Sequence, residues 1–575
     1  NESIGFENSV KDALSYWNLD VHEAFSTLVS GIYSGTAMLN RLLERKGRKI
    51  GLIVTAGMED YLRMERGIQT YLGYSYSDRL HLNTHVHNEP LVPRQRIFGV
   101  RGRIDVFGDE IIPLYEHEVR DAVKKLLGQK VEAICVNLLY SFKNPAHERR
   151  VAEIAREVMK EEGAIVPLFL SSELFPTRND FPRLNSVLIE AYAAEPSRNQ
   201  LRLISEKNRE LGGKYEIRVM ASHGGTISID AKELSRTLVS GPIGGVIGGK
   251  YVADQMNTKN MVCTDIGGTS FDLALITNGE YSIKNNPDIA RFLLNLPLVQ
   301  IDSVGAGTGS FVRVNPTSKR IEFGPDSAGS RIGVCYEAGG VTTPTISDCN
   351  VVLGYLNPYN FLGGEVVLNK DRAYQAIKEQ IADPLGLDVY EAAEGIISIF
   401  EDHLRNQVNS MILGKGYSPE NYCLISYGGG GPLHVAGYTK GLHFEDIYVP
   451  AWAAGFSAFG CACADYEYRS DKSIDVAIAG SGWNLAHIAM TINEAWAELK
   501  TKIEGEFAKS QIAPQQIQYK HYLRMQYMGQ LNDLEIRVPY SEIQSNEDVQ
   551  TLIDLFEEAY GKMYARSARS PEMGY

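Results

Sequence analysis

The sequence predicts an α/β fold of several domains, and three observations carry that expectation. Short apolar runs alternate with amphipathic stretches along most of the chain, the signature of strand-helix-strand units. At 575 residues, 44% hydrophobic and 22% charged, the chain is too long for one core and apolar enough to fill several. Its 54 glycines gather in turns and in two helix-like segments, so sharp chain reversals and close backbone crossings are expected there.

The elements follow in order. TAMLNRLLERKG reads as a helix leading into the strand KIGLIVTAG. The run Ala133 to Tyr140 reads as the next strand, with Asn144 as N-cap and Pro145 at the first helical position of ERRVAEIAREVMKEE. Gly163 ends that helix, and IVPLFLSS follows as a strand. Near the end, LAHIAMTINEAWAELKTKIEGEF has helical periodicity and LNDLEIRVP alternates like a strand. These patterns suggest three regions, residues 1–200, 201–480 and 481–575.

Charge and composition exclude several classes. The net charge of −14 argues against a broad basic face for nucleic acid. There is no run of ~18 apolar residues to span a bilayer, and the opening NESIGFENSV lacks the basic and apolar parts of a secretion signal. The seven cysteines are spread out with no CxxC pair, so they read as reduced thiols. A cytoplasmic protein is expected.

The sharpest local signal is NMVCTDIGGTSFDLALIT. A strand ends in Asp265, the chain reverses through Gly267, Gly268 and Thr269, and a second strand leaves through Leu273 to Ile276. Glycines let backbone N–H groups approach a phosphate, and Thr269 and Ser270 add hydroxyl donors. Asp265 would repel a phosphate unless a cation lay between them; Mg²⁺, which keeps several of its waters at such sites, resolves the conflict. Alternatively the segment is an ordinary tight hairpin. A second signal is the strand YCLISY running into Gly428, Gly429, Gly430 and Gly431, with Pro432-Leu433-His434 opening a helix. Four glycines between strand and helix cost conformational entropy, so a close approach, of a nucleotide or of a packed neighbour, is the natural reason for them.

Small-residue helices flank both signals: SGPIGGVIGGKYVA from Ser240, and AAGFSAFGCACA from Ala453. Such helices can cross at very short distance. The order of helix, hairpin, glycine turn and helix resembles the second half of the actin, Hsp70 and sugar-kinase ATPase fold, in which two lobes surround a nucleotide cleft. There the hairpin is the second phosphate loop, the glycine turn is the adenosine loop, and the small helices form a hinge. Beyond the core, the last region reads as α+β.

Other matches carry less. Gly244 to Lys250 fits the core of a P-loop, but Tyr251 stands where that motif needs Ser or Thr, and its glycines fall in a helix. Gly305, Gly307 and Gly309 lack dinucleotide-binding spacing and read as a flexible loop at the nucleotide site, flanked by Asp302 and Ser310. His81, His85 and His87 have no partners at ligand spacing, so a solvated or core-capping role outweighs a metal site. His223 sits beside a glycine turn, where polar residues are usually structural.

Taken together, VLIEAYAAEPSR, VMASHGGTIS, VSGPIGGVIGG, TDIGGTSFD, DSVGAGTGS, ISDCNVVLGYLNPYNFLGG, SYGGGGPLH and PAWAAGFSAFGCACAD resemble the hydantoinase A/oxoprolinase family over nearly the whole chain. YSGTAMLNRLLERKGRKIGLIV, VLIEAYAAEPSR and SARSPEMGY point within it to the ATPase (β) subunits of acetone-type ketone carboxylases. The resemblance implies ATP-dependent carboxylation of acetone with bicarbonate to acetoacetate, through phosphorylation of bicarbonate, the enolised ketone, or both. It implies α and γ partner subunits in a hetero-oligomer, with a Mn-type metal in the α subunit and not in this chain. Carried across, Asp265, Gly267, Gly268, Thr269 and Ser270 match the second phosphate loop and Gly428 to Gly431 the adenosine loop. Asp265 would position Mg²⁺, and Asp272 would orient or deprotonate the attacking oxygen. Family members open with a first phosphate loop and continue past SPEMGY, so the sequence is expected to be part of a longer polypeptide. An acetophenone-type carboxylase, an ATP-dependent 5-oxoprolinase or hydantoinase, and a nucleotide-gated scaffold remain open as alternatives.

Overall fold

Ile50–Thr55 (β1) is buried at all six positions, as an uninterrupted apolar run inside a parallel sheet should be. Its neighbours are Ile97–Val100 (β2), Ala133–Asn137 (β3) and Leu168–Leu170 (β4). In this computed structural model they form one parallel sheet in the order β2-β1-β3-β4. All residues are described except 1, 68–70, 73, 75, 82, 84, 480–482, 511 and 531–532. Parallel neighbours need crossovers, and the amphipathic helices Glu116–Gly128 (α1) and Ala146–Glu161 (α2) supply them. The Asn144 Oδ1 accepts from the Ala146 N–H at 3.0 Å, and Gly163 leaves α2 with φ +64°, so both termini end as their residues dictate. The long helix Asp180–Glu210 (α3) packs its Leu184, Val187, Leu188 and Ala191 into the main core of this layer.

A second sheet is built around the glycine-rich signals. The helix Gly241–Gln255 (α4) leads into Met261–Ile266 (β5), which pairs antiparallel with Phe271–Thr277 (β6). Asp302–Val304 (β7) lies beside β6. After the capped helix Val389–Gly414 (α5), whose Asp388 and Glu391 form a capping box, the chain enters Cys423–Tyr427 (β8), parallel to β5. Gly431–Tyr438 (α6), Asp446–Tyr448 (β9) and Phe456–Ala462 (α7) complete the unit, with β9 parallel to β8. Its core lies between this sheet and the helices, where Phe271, Leu273 and Leu424 meet Phe400 and Leu404 of α5.

The C-terminal segment folds as Leu485–Lys509 (α8), the antiparallel pair His521–Met525 (β10) and Leu534–Val538 (β11), and Asn546–Met563 (α9). They share a core around Trp496, Tyr527, Ile536 and Phe556. The chain divides into two compact units that interleave along the sequence. One contains residues 1–240, 284–298 and 465–575, and the other 241–283 and 299–464. Among the described residues no helix is long and apolar enough to cross a membrane.

Candidate nucleotide site

In the second unit, β5 and β6 place Asp265 directly opposite Asp272. Directly opposed residues share a face of the sheet, and like charges in that position repel. Neither forms an ion pair among the described residues. Burial and the neighbouring Asp272 push the Asp265 carboxyl up to about 6, against a weak opposing hydrogen bond from Ser457 at 3.3 Å. Burial also raises Asp272, and hydrogen bonds from Ser303 and Ser270 oppose the shift. Two half-buried carboxylates with hydroxyl neighbours and no cation form an acidic pair that a divalent ion would neutralise. Mg²⁺, which uses one or two carboxylates together with waters and phosphate oxygens, fits this donor set. Among the described residues no group of three or more His, Cys, Asp or Glu is arranged to hold a metal by itself.

The glycines around this pair fall into two kinds. At Gly428 the backbone has φ +83°, and a Cβ there would run into Asp265 Oδ1 and sit 2.6 Å from the Ile266 carbonyl. At Gly430 a Cβ would lie 2.5 Å from Thr308 Cγ2, and at Gly431 2.8 Å from Ser426 Oγ. These three glycines are needed by the protein's own packing. Gly267, Gly268 and Gly429 are different: their φ lies outside the left-handed region, and a Cβ would approach nothing closer than 3.8 Å. Neither conformation nor packing requires glycine at these positions, and their backbone is open to an incoming ligand. Gly268, Thr269 and Gly429 are also exposed.

The turn and the loop are tied together. The Gly430 N–H donates to the Ile266 carbonyl at 2.9 Å, docking the glycine turn on the end of β5. The Gly305 to Gly309 segment differs from the flexible loop that the sequence suggests. Its Thr308 and Gly309 N–H groups donate to the Gly267 and Gly268 carbonyls at 3.0 and 2.8 Å, and a Cβ on Gly307 would collide with the Thr269 amide. Gly307 is therefore glycine so that the loop can lie flat against the hairpin, and Gly305 is at its exposed edge. These bonds hold the hairpin carbonyls from behind.

The helix crossing beneath the site is as close as the composition suggests. A Cβ on Gly460 of α7 would coincide with the Gly244 carbonyl of α4, and one on Gly248 would lie 3.0 Å from the Phe456 ring. On the other side of α4, a Cβ on Gly245 would lie 2.5 Å from the Tyr427 ring, and one on Gly249 would run into Cys263 Sγ. Glycine costs a helix about 1 kcal/mol per residue relative to alanine, and contact on both sides of α4 explains why the cost is retained. The P-loop match at Gly244 to Lys250 is helical throughout, and Lys250 pairs with Asp254.

Ser457, Ser303 and Thr308 are the contributors that sequence reasoning missed. The one hydroxyl in the small-residue run AAGFSAFG was the available signal for Ser457. His434, His223 and His85 have hydrogen-bond partners within the fold. His434 is fully buried, its Nδ1–H donating to Glu401 Oε1 at 3.0 Å and its Nε2 accepting from Asn350 Nδ2 at 3.1 Å. His223 of the first unit is buried, and its Nε2–H donates to the Glu467 carbonyl at 2.9 Å. Burial and Arg236 push it down to about 3, so it stays neutral. His85 Nε2 lies 2.8 Å from the Asp78 carbonyl.

The fold and this constellation define the class: a mixed α/β protein of the ATPase type, with an acidic hairpin flanked by glycine turns. Family profiles describing the hydantoinase/oxoprolinase N-terminal region, hydantoinase/oxoprolinase itself, and the hydantoinase/oxoprolinase C-terminal domain match residues 1–159, 183–470 and 481–575. The chain belongs to the hydantoinase/oxoprolinase family. It is 53% identical to the acetone carboxylase beta subunit of Xanthobacter autotrophicus, over 100% of this chain and 80% of that one. It is 35% identical to the acetophenone carboxylase gamma subunit of Aromatoleum aromaticum, over 98% and 77%. Among solved structures, nucleotide-free acetone carboxylase, from work on the mechanism of ATP-dependent acetone carboxylation, aligns with a TM-score of 0.76 and 53% identity, over 100% of this chain and 81% of that one. The ATP-dependent caprolactamase of Pseudomonas jessenii aligns with a TM-score of 0.87 and 26% identity, over 98% and 80%.

Proposed function

We propose that this chain is the ATP-using subunit of a ketone carboxylase, converting acetone and bicarbonate to acetoacetate in a cytoplasmic hetero-oligomer with α and γ subunits. The observation that carries the nucleotide reading is the Asp265–Asp272 pair beside Gly267, Gly268 and Gly429, three glycines whose backbone is left open for a ligand to approach. The ketone reading is supported by 53% identity to an acetone carboxylase subunit along the entire chain. Seven free cysteines suit a reducing compartment.

In this reading, Gly267, Gly268, Thr269 and Ser270 present N–H and O–H donors to the nucleotide phosphates, and Gly429 lets the nucleotide lie on the strand-to-helix turn. Gly307, Gly428, Gly430 and Gly431 keep these segments close enough to act together, with Gly305 at the exposed edge of the loop where the nucleotide would pass. Asp265 would hold Mg²⁺ directly or through water; the ion would neutralise charge on the phosphates and relieve the repulsion between Asp265 and Asp272. Asp272, hydrogen-bonded by Ser270 and Ser303, would orient the attacking oxygen of bicarbonate or of the enolised ketone and take its proton. Bicarbonate is a poor electrophile, and phosphorylation turns one of its oxygens into a leaving group. Carbon–carbon bond formation would take place in the α subunit, with its Mn-type metal.

The deciding experiment measures ATP turnover by this protein with its partner subunits in bicarbonate, comparing acetone, acetophenone, 5-oxoproline and caprolactam. Stimulation by acetone, with acetoacetate formed, is the expected result. Stimulation by the cyclic amides alone would replace this reading with that of an ATP-dependent amide hydrolase. Stimulation by acetophenone alone would move the chain to the aryl-ketone carboxylases.

A further inference from the structure

Within the first unit, away from the hairpin, the turn Leu234–Thr237, residues 468–470 and helix α8 line a small, half-open pocket of ≈ 30 Å³. A buried water needs about 10–15 Å³ by this measure, so the space suits two or three waters or a ligand of about four heavy atoms. Ile227, Ala231 and Ile503 give it apolar walls. Arg236 and Ser470 line it as well, and each has a buried polar atom, Nη1 and Oγ, with no hydrogen-bond partner. Arg236 is only 6% exposed. A guanidinium N–H left unpaired in the interior is unfavourable, and native structures rarely tolerate one without a ligand or an ordered solvent molecule.

The charges around the cavity set the charge of its occupant. Arg236 Nε and Lys502 Nζ both engage the single carboxylate of Glu233, at 2.6 and 2.7 Å, which leaves one positive charge uncompensated. Arg469 is held by Asp471 and Glu535, and Asp471 is also acted on by Arg524 and by Arg236 itself. The four cations Arg236, Lys502, Arg469 and Arg524 thus face the three carboxylates Glu233, Asp471 and Glu535. Glu506 pairs with Lys509, and the exposed Lys232 lies 3.9 Å from Glu173. The balance is one positive charge beside an unpaired guanidinium N–H, a hydroxyl and an apolar wall. The geometry points to a binding site for a small planar monoanion of the carboxylate class, bicarbonate or a short carboxylate, held by charge-assisted hydrogen bonds from Arg236 and Ser470.

The inference does not rest on the nucleotide reading, and its test uses no nucleotide. The full chain is titrated by calorimetry with bicarbonate in one arm and acetate in the other, against chloride at matched ionic strength. Saturable binding with a dissociation constant near ~1 mM is expected, a modest affinity appropriate to two such hydrogen bonds. Arg236→Lys, which keeps the charge facing Glu233 but loses the planar fork, should weaken binding about tenfold. Ser470→Ala should weaken it about threefold to fivefold, and it decides the matter alone if the arginine variant folds poorly. Binding of one anion and not the other identifies the ligand within the class. Absence of saturable binding by both, or binding unchanged in Ser470→Ala and in a folded Arg236→Lys, would leave the cavity to solvent and overturn the proposal.

Discussion

Asp265 is the residue on which the candidate site turns, and its environment makes two predictions. Its carboxyl is raised to about 6 by burial and by Asp272, so the folded protein binds its proton more tightly than the unfolded chain does. The sign follows: stability falls as pH rises from the ordinary carboxylate range through about 6, and above that the full cost of ionising the group is present. Asp265→Asn should therefore stabilise the metal-free protein at pH 7.5, by an amount on the order of 2 kcal/mol, and give no gain at pH 4, as read by thermal unfolding at both. An equal gain at the two pH values would show that the carboxylate is not strained. The same substitution should lower Mg-ATP hydrolysis by about 10²–10³-fold or more while the fold persists; retained hydrolysis would remove Asp265 from the proposed chemistry. Because a cation must displace that proton, Mg²⁺ affinity should weaken as pH falls below about 6, and magnesium titrations at pH 5 and 8 would reveal it.

The elements show where the sequence was legible and where it was not. The hairpin and the strand-GGGG-helix turn could be read directly, because glycine, short hydroxyl residues and apolar runs act within a few residues of one another. The small-residue helices could be read as close-packing for the same reason. The flat docking of Gly305 to Gly309 on the hairpin could not, since it depends on hydrogen bonds from Thr308 and Gly309 to carbonyls some forty residues earlier. Nor could Ser457, whose bond to Asp265 exists only because α7 passes that point. The same distinction separates the four glycines of the turn. Gly429→Ala should fold normally and weaken nucleotide binding, whereas Gly430→Ala, which meets Thr308 and Ile266, should cost about 1–3 kcal/mol of stability. Melting curves and nucleotide titrations on the two variants would test the assignment, and equal destabilisation by both would void it. At the helix crossing Gly460→Ala places a methyl on the Gly244 carbonyl, so a loss of at least ~2 kcal/mol is expected despite alanine's better helix propensity. A stabilised variant, measured by thermal unfolding, would mean that the helices do not cross at this distance.

For the whole molecule, the linear reading gives consecutive regions, and the fold interleaves them. Composition cannot reveal this, because a segment's membership in a unit is decided by what it packs against, not by where it lies in the chain. Residues 284–298 are the clearest case: they fall between strands of the second unit and belong to the first. Phe292, Leu294 and Leu296 enter the core formed with α3. The Leu293 carbonyl accepts from Asn185 Nδ2 at 3.0 Å, and the Asn295 N–H donates to Ser186 Oγ at 2.9 Å. Leu294 is fully buried, so Leu294→Ala should cost about 2–5 kcal/mol through lost burial and the cavity left behind. The loss should be borne by the unit that holds the side chain. Hydrogen exchange should rise in α3 and in the β1 to β4 sheet, while the Asp265 hairpin and β8 keep their protection. Faster exchange in β5, β6 and β8, with α3 unchanged, would show that this segment supports the nucleotide-site unit instead, and that the division of the molecule is wrong at that point.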